Sequence, residues 1–131
     1  MSKGTVSSNL TASAMINLDE FKKVEIVVGQ ILSAEKIPAT DKLLKLSVDL
    51  AEPTPRQIVS GIAEYFPDPA VLVGKKCMFV ANLEPRTIRG FESQGMILAV
   101  SAADDPATSG EAGKFSLLVP ENDIPPGTRA R

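Results

Sequence analysis

Residues 82–96 read NLEPRTIRGFESQGM and gather two arginines, Arg86 and Arg89, with Asn82, Ser93 and Gln94. A guanidinium offers a planar fork of donors that suits a phosphate or the edge of a guanine, and amides and hydroxyls add short groups that can be aimed. Two apolar, strand-like runs flank the stretch, KKCMFVANL and GMILAVS, so its polar groups sit in the connection between strands four and five. Lys42 and Lys45 in TDKLLKL can extend a basic path on the outer face of strand two. Met96, opening strand five, supplies a flexible apolar platform for a base or sugar if it is exposed. A plainer reading explains the same composition: a solvated hairpin loop that turns at Pro85 and Gly90, edge-protecting lysines and a core methionine. From composition alone the plainer reading is preferred.

Other chemistries lack their residues. The chain contains no histidine, so acid–base catalysis near neutral pH would rest on tuned carboxylates or lysines, and the acidic residues are scattered. One cysteine, no histidine and no calcium-loop motif leave nothing with the spacing of a metal site. Gly74-Lys75 reads as a turn rather than a phosphate loop. Cys77 has no partner for a disulfide and no histidine to activate it, and reads as a small buried hydrophobe. No enzyme activity, metal or cofactor is expected. Aromatic residues make up 5% of the chain, too few to stack successive bases as a general single-strand binder does, which favours an RNA recognised by shape.

With 131 residues, 44% hydrophobic and 23% charged, the chain suits one soluble domain. No apolar run approaches a membrane span and the first twenty residues lack a secretory core, so the expected compartment is the cytoplasm. The formal charge of −2 argues against a broad electrostatic grip on nucleic acid, but the charges are segregated. Residues 75–89 carry Lys75, Lys76, Arg86 and Arg89 against Glu84, whereas residues 102–127 carry five acids against Lys114.

Residues 1–16 read as a flexible leader, and residues 17–131 as the domain. Asn17 with Glu20 forms a capping-box pattern for one short helical turn. VEIVVGQILSAEKI predicts a long first strand, with Gly29 marking a bulge or bend where a side chain would crowd the inside. LLKLSVDL alternates cleanly and predicts strand two; RQIVSGI predicts strand three. IAEYFPDPAVLVGK, interrupted by two prolines, allows a short helical or 3₁₀ crossover. AADDPATSGEAGK is a polar loop, and KFSLLVP a short sixth strand before a proline-rich tail. Five strands with a small helical insertion after the third match an all-β OB-fold barrel with a C-terminal extension. By pattern alone another small Greek-key or SH3-like barrel fits nearly as well.

Taken in order, DEFKKVEIVVGQILSAEKI, DKLLKLSVDL, RQIVSGIAEYFPDP, VANLEPRTIRG and ESQGMILA resemble the tRNA-binding domain. That domain is appended to the C-terminus of bacterial methionyl-tRNA synthetase, stands free as structure-specific tRNA-binding proteins, and occurs in cofactors of eukaryotic synthetase complexes. The resemblance covers residues 18–131, and VSGI, VANL-x-PR and SQGM are its most specific words. It implies a non-catalytic OB-fold that recognises the folded corner of tRNA, with an aminoacyl-tRNA synthetase as a further partner. It also implies a homodimer formed near the helical entry and the C-terminal extension. Matching positions give Lys42, Asn82, Arg86, Ser93, Gln94 and Met96 as tRNA contacts, with Arg89 a supporting charge and Lys45 on the same basic path. A related branch of dimeric export-associated chaperones shares the fold, so a chaperone or protein-docking role is the alternative; ANLEPR and SQGM favour the synthetase type.

Overall fold

The structure, a computed structural model, describes residues 14–102 and 114–131. Residues 1–13 of the expected leader and all but the ends of the polar loop after strand five lie outside the described residues. The first helix, α1 (Leu18–Phe21), begins as the capping box requires: Asn17 Oδ1 accepts the Glu20 N–H at 2.8 Å, and Glu20 Oε1 accepts the Asn17 N–H at 3.0 Å. Val24 follows at once among β-branched residues, and the chain turns into β1 (Ile26–Lys36).

β1 serves two partners in succession. Its first half pairs antiparallel with β4 (Lys76–Val80) and its second half with β2 (Leu44–Asp49), which pairs with β3 (Arg56–Ser60). β4 also pairs with the short β7 (Met96–Ile97), giving the sheet order β3-β2-β1-β4-β7. Strand alternation sends Leu44, Leu46 and Val48 of β2 inward, where they meet Ile31, Ile58, Leu72, Cys77 and Phe79 in a core without solvent exposure. Gly29 is needed because the strand coils tightly over this core. A Cβ there would lie 2.7 Å from both Leu50 Cδ2 and Phe79 Cδ1. The bulge itself falls later than the glycine, between Ile31 and Ser33, just after β1 changes partner at Gln30; Gly29 keeps regular register with Cys77.

The crossover from β3 to β4 is two 3₁₀ turns, Ala63–Tyr65 and Pro69–Leu72, rather than an α-helix. Pro67 and Pro69 interrupt any longer helical ladder, and Leu72 plugs the barrel end beneath them. Strand five of the sequence reading is divided into β7 and β8 (Ala99–Ser101); β8 pairs with β9 (Phe115–Leu117), the expected sixth strand. The tail returns to β1: Val28 N–H donates to the Thr128 carbonyl at 2.9 Å and Ala130 N–H to the Ile26 carbonyl at 2.7 Å. The result is a five-stranded, nearly closed antiparallel OB-type barrel, clasped by its C-terminal extension beside α1.

Candidate nucleic-acid interface

The connection after β4 is a small β-hairpin and not an irregular loop. β5 (Arg86–Ile88) pairs with β6 (Phe91–Ser93), register Arg86 to Ser93 and Ile88 to Phe91, around a two-residue turn at Arg89-Gly90. Both turn residues have positive φ, 53° at Arg89 and 84° at Gly90, the primed-turn geometry whose twist suits a tight hairpin. The β-branched Thr87 and Ile88 favour the strand, and the turn holds Arg89 outward at the tip. The side chain of neither Arg86 nor Arg89 has an ion-pair or hydrogen-bond partner among the described residues, and both residues are exposed.

Barrel closure fixes the base of this arm. Ser93 is buried at 4% exposure; its Oγ accepts the Val59 N–H at 3.0 Å and donates to the Gly95 carbonyl at 3.0 Å, stitching β6 to β3. Gln94 N–H donates to the Gln57 carbonyl at 2.8 Å, and Gln57 Nε2 donates to the Glu92 carbonyl at 3.0 Å. Gly95 sits at φ 143°, with Val80 O only 2.8 Å from where a Cβ would be, so the SQGM word is satisfied here by glycine alone. At the other foot of the arm, Asn82 Oδ1 accepts the Glu25 N–H at 2.9 Å while its Nδ2 donates to the Lys23 carbonyl, fastening the exit of β4 to the α1–β1 connection. Ser93, Gln94 and Asn82 therefore spend much of their polar capacity on the arm itself.

The sequence reading missed Arg56. Its Nη1 donates to the carbonyls of Ala81 and of Gln94, the latter at 3.1 Å, and its Nε and Nη2 hold the Glu52 carboxylate at 2.9 and 2.8 Å. The available signal was an arginine opening strand three four residues after Glu52, a spacing with several uses.

Between the arm and the barrel lies an open groove of about 320 Å³, lined by Val59, Ser60 and Gly61, by Leu83 and Glu84, and by Arg86, Ile88, Ser93, Gly95, Met96 and Ile97. Met96 is 46% exposed, a surface methionine and not a core one. Lys42 adjoins the Gly61 end, its carbonyl 3.9 Å from the point where a Gly61 Cβ would be. Lys45 braces the arm instead: its Nζ lies 5.0 Å from the Phe91 ring centre and 3.5 Å from Glu35 Oε1. Of the eight candidate residues, the structure thus brings Arg86, Ser93 and Met96 into one groove with Lys42 adjoining and Arg89 at the arm's tip. Asn82, Gln94 and Lys45 support the arm. The other half of the basic stretch goes elsewhere: Lys76 pairs with Asp123 at 2.7 Å, and Lys75 lies beside Tyr65, Phe66 and Phe115. No cluster of metal-binding side chains occurs among the described residues, and no helix there is long and apolar enough to cross a membrane.

Residues 26–129 match the family described as "Putative tRNA binding domain". Among curated relatives, the methionine–tRNA ligase of Methanosphaerula palustris is 50% identical over 117 residues, and that of Enterococcus faecalis 41% over 117, each covering 89% of this chain. The chain spans 16% of the length of those ligases. A MetRS related protein from Pyrococcus horikoshii superposes with a TM-score of 0.76 at 39% identity, covering 89% of this chain and 98% of that one. The chaperone CsaA of Bacillus anthracis superposes at 0.73 with 25% identity over 89% and 99%. A match over this much of the barrel, extending through the residues that build the arm and groove, means that the chain belongs to the tRNA-binding domain family.

Proposed function

We propose that this chain is a non-catalytic, structure-specific tRNA-binding module that works in trans or as an appendix of a methionyl-tRNA synthetase in the cytoplasm. The observation that carries the reading is the braced hairpin, whose pinned backbone presents two arginines with unpaired side chains, Arg86 lining an open groove and Arg89 at the tip. Fixing the arm beforehand lowers the ordering cost of binding, which matters in a molecule whose net charge is −2. Arg86, Arg89 and Lys42 supply attraction to phosphates, Met96 an apolar contact, and Asn82, Ser93 and Gln94 set the register of the arm. Shape rather than base sequence is the natural target of so few groups, with ribose 2′-hydroxyls within their chemistry. Tethered to a catalytic body, a weak site of this kind makes the second contact intramolecular and tightens the whole assembly.

The same reading includes a homodimer. A cleft of about 690 Å³ opens between Leu18, Phe21 and Val24 and the tail residues 128–131, and Met15, Ile16 and Leu18 are 80, 61 and 65% exposed. An apolar entry of that kind beside a C-terminal clasp suits an isologous contact.

Titration of total tRNA against the purified chain at two ionic strengths, beside a DNA duplex, tests the reading. Salt-sensitive binding of tRNA in preference to the duplex supports it. The likeness to CsaA and the apolar groove walls favour one alternative, a chaperone: no binding of tRNA at low salt, with capture of an unfolded polypeptide, would establish that function instead.

A further inference from the structure

Resting on the tRNA-binding reading, we infer that the groove between the arm and the barrel is a subsite for one unpaired nucleobase of the RNA, held by aliphatic side chains in place of an aromatic ring. The groove divides its labour between apolar and charged groups. Its walls are apolar: Leu83 and Met96, each 46% exposed, and Ile88, with Val59 and Ile97 beneath them. Its lining cation is Arg86, and the backbone of Lys42, an exposed residue, passes beside Gly61. A nucleotide has this same division, an apolar face carried between charged phosphates. At about 320 Å³ the groove has room for a single base with part of its ribose, and none for a helix.

Polar groups for the edge of a base are also present. Gly61 lines the groove, and neither its N–H nor its carbonyl has a hydrogen-bond partner among the described residues. An adjacent peptide donor and acceptor is what the edge of a base pairs with. Glu84, the one acid in the lining, adds an acceptor for an exocyclic amino group and repels a phosphate, which leaves Arg86 as the phosphate contact of the lining. The Ser93 hydroxyl does not compete for ligand, being committed to Val59 and Gly95. A base still paired in a helix cannot enter; an unstacked base in a loop or bend can, which ties recognition to the folded form of the RNA. Methionine and leucine give polarisable surface to any base, so the contact selects an exposed base and only weakly which base.

The test compares wild type with Leu83→Ala/Met96→Ala in titrations of a tRNA transcript over a range of salt. Both side chains are largely on the surface, so truncation spares the core, and thermal denaturation checks that the variant is folded. Loss of the base contact is expected to weaken binding by about tenfold or more without changing the slope of log Kd against log salt, since no phosphate contact is removed. Arg86→Ala is expected to reduce that slope by about one. In a second arm, a photo-crosslinking phenylalanine at position 96 is expected to label one unpaired nucleotide. If wild type binds tRNA but the double variant binds equally well, or the crosslinks spread along paired stems, the base subsite is overturned and the tRNA reading stands. If wild type itself binds no tRNA, both fail together.

Discussion

Arg56 and Gln94 are joined by a hydrogen bond from Nη1 to the main-chain carbonyl at 3.1 Å, and the same nitrogen also reaches the carbonyl of Ala81. Ala81 is where the chain leaves β4, and Gln94 is where it returns towards β7. One guanidinium therefore spans both feet of the arm that carries Arg86 and Arg89. Glu52 grips its other edge through two bonds, which neutralises the charge and fixes the plane of the fork.

Removal of that fork is expected to loosen the arm without touching the surface proposed to face RNA. Arg56→Met loses charge-assisted bonds worth about 1.5–3 kcal/mol, to be read as a shift in the urea midpoint. Under conditions where the variant is fully folded, its tRNA affinity should fall while its salt slope stays that of wild type. Glu52→Gln, which leaves the two carbonyl bonds in place, should do less on both counts. Wild-type stability and affinity in Arg56→Met would show that the arm stands without its brace.

Arg89 offers a way to separate charge from turn geometry. Its φ of 53° is in the left-handed region, which asparagine tolerates better than most residues. Arg89→Asn should therefore preserve or slightly raise stability while lowering the magnitude of the salt slope for tRNA by about one. Lys76→Ala serves as the control: Lys76 is paired with Asp123, and its removal should leave the slope unchanged. Equal effects of the two substitutions would mean that bulk charge, and not the arm, governs the encounter.

Much of the barrel could be read from the chain because each of its signals is local. Alternation in LLKLSVDL, the Asn17–Glu20 capping box and the two prolines after strand three each act within a few residues, and each has its structural counterpart. The arm was legible only as a polar connection. Three-residue strands are shorter than any period can mark, and what makes them strands is the pairing of Arg86 with Ser93 and the docking of Ser93 on Val59, 34 residues away. The same holds for the roles within the site. The sequence offers Asn82 and Ser93 as polar groups, but only the fold reveals that their bonds run to Glu25 and Val59. Lys75 and Lys76 looked continuous with Arg86 and Arg89, and β4 carries them to its opposite end.

Gly29 is the most demanding position of the core. A methyl group added there would meet Leu50 and Phe79 at 2.7 Å, and Phe79 is itself fully enclosed and unable to retreat. Gly29→Ala is expected to cost about 1–3 kcal/mol through overpacking, despite the better strand propensity of alanine. Pairing it with Leu50→Ala should recover part of that loss relative to the sum of the single changes, a coupling that a double-mutant cycle in urea would measure. Strict additivity would place the strain in the backbone and not in this contact.

Cys77 provides a titration that reports on the barrel interior. Burial pushes its thiol up from 9.0 to about 11, against a smaller opposing pull from Lys75. The folded state thus keeps its proton over a range where the unfolded chain loses it. This contribution to stability is therefore fully present below pH 9 and is lost as the pH rises through about 11. Two measurements check it. A thiol reagent at pH 8 should leave the native protein unmodified and react at once in denaturant, since the thiolate is the reactive form and the side chain is enclosed. Stability followed from pH 8 to 11 should fall more steeply for wild type than for Cys77→Ala, the difference between the two curves removing the titrations they share. Parallel curves would mean that the thiol near the start of β4 meets water far more freely than its full enclosure implies.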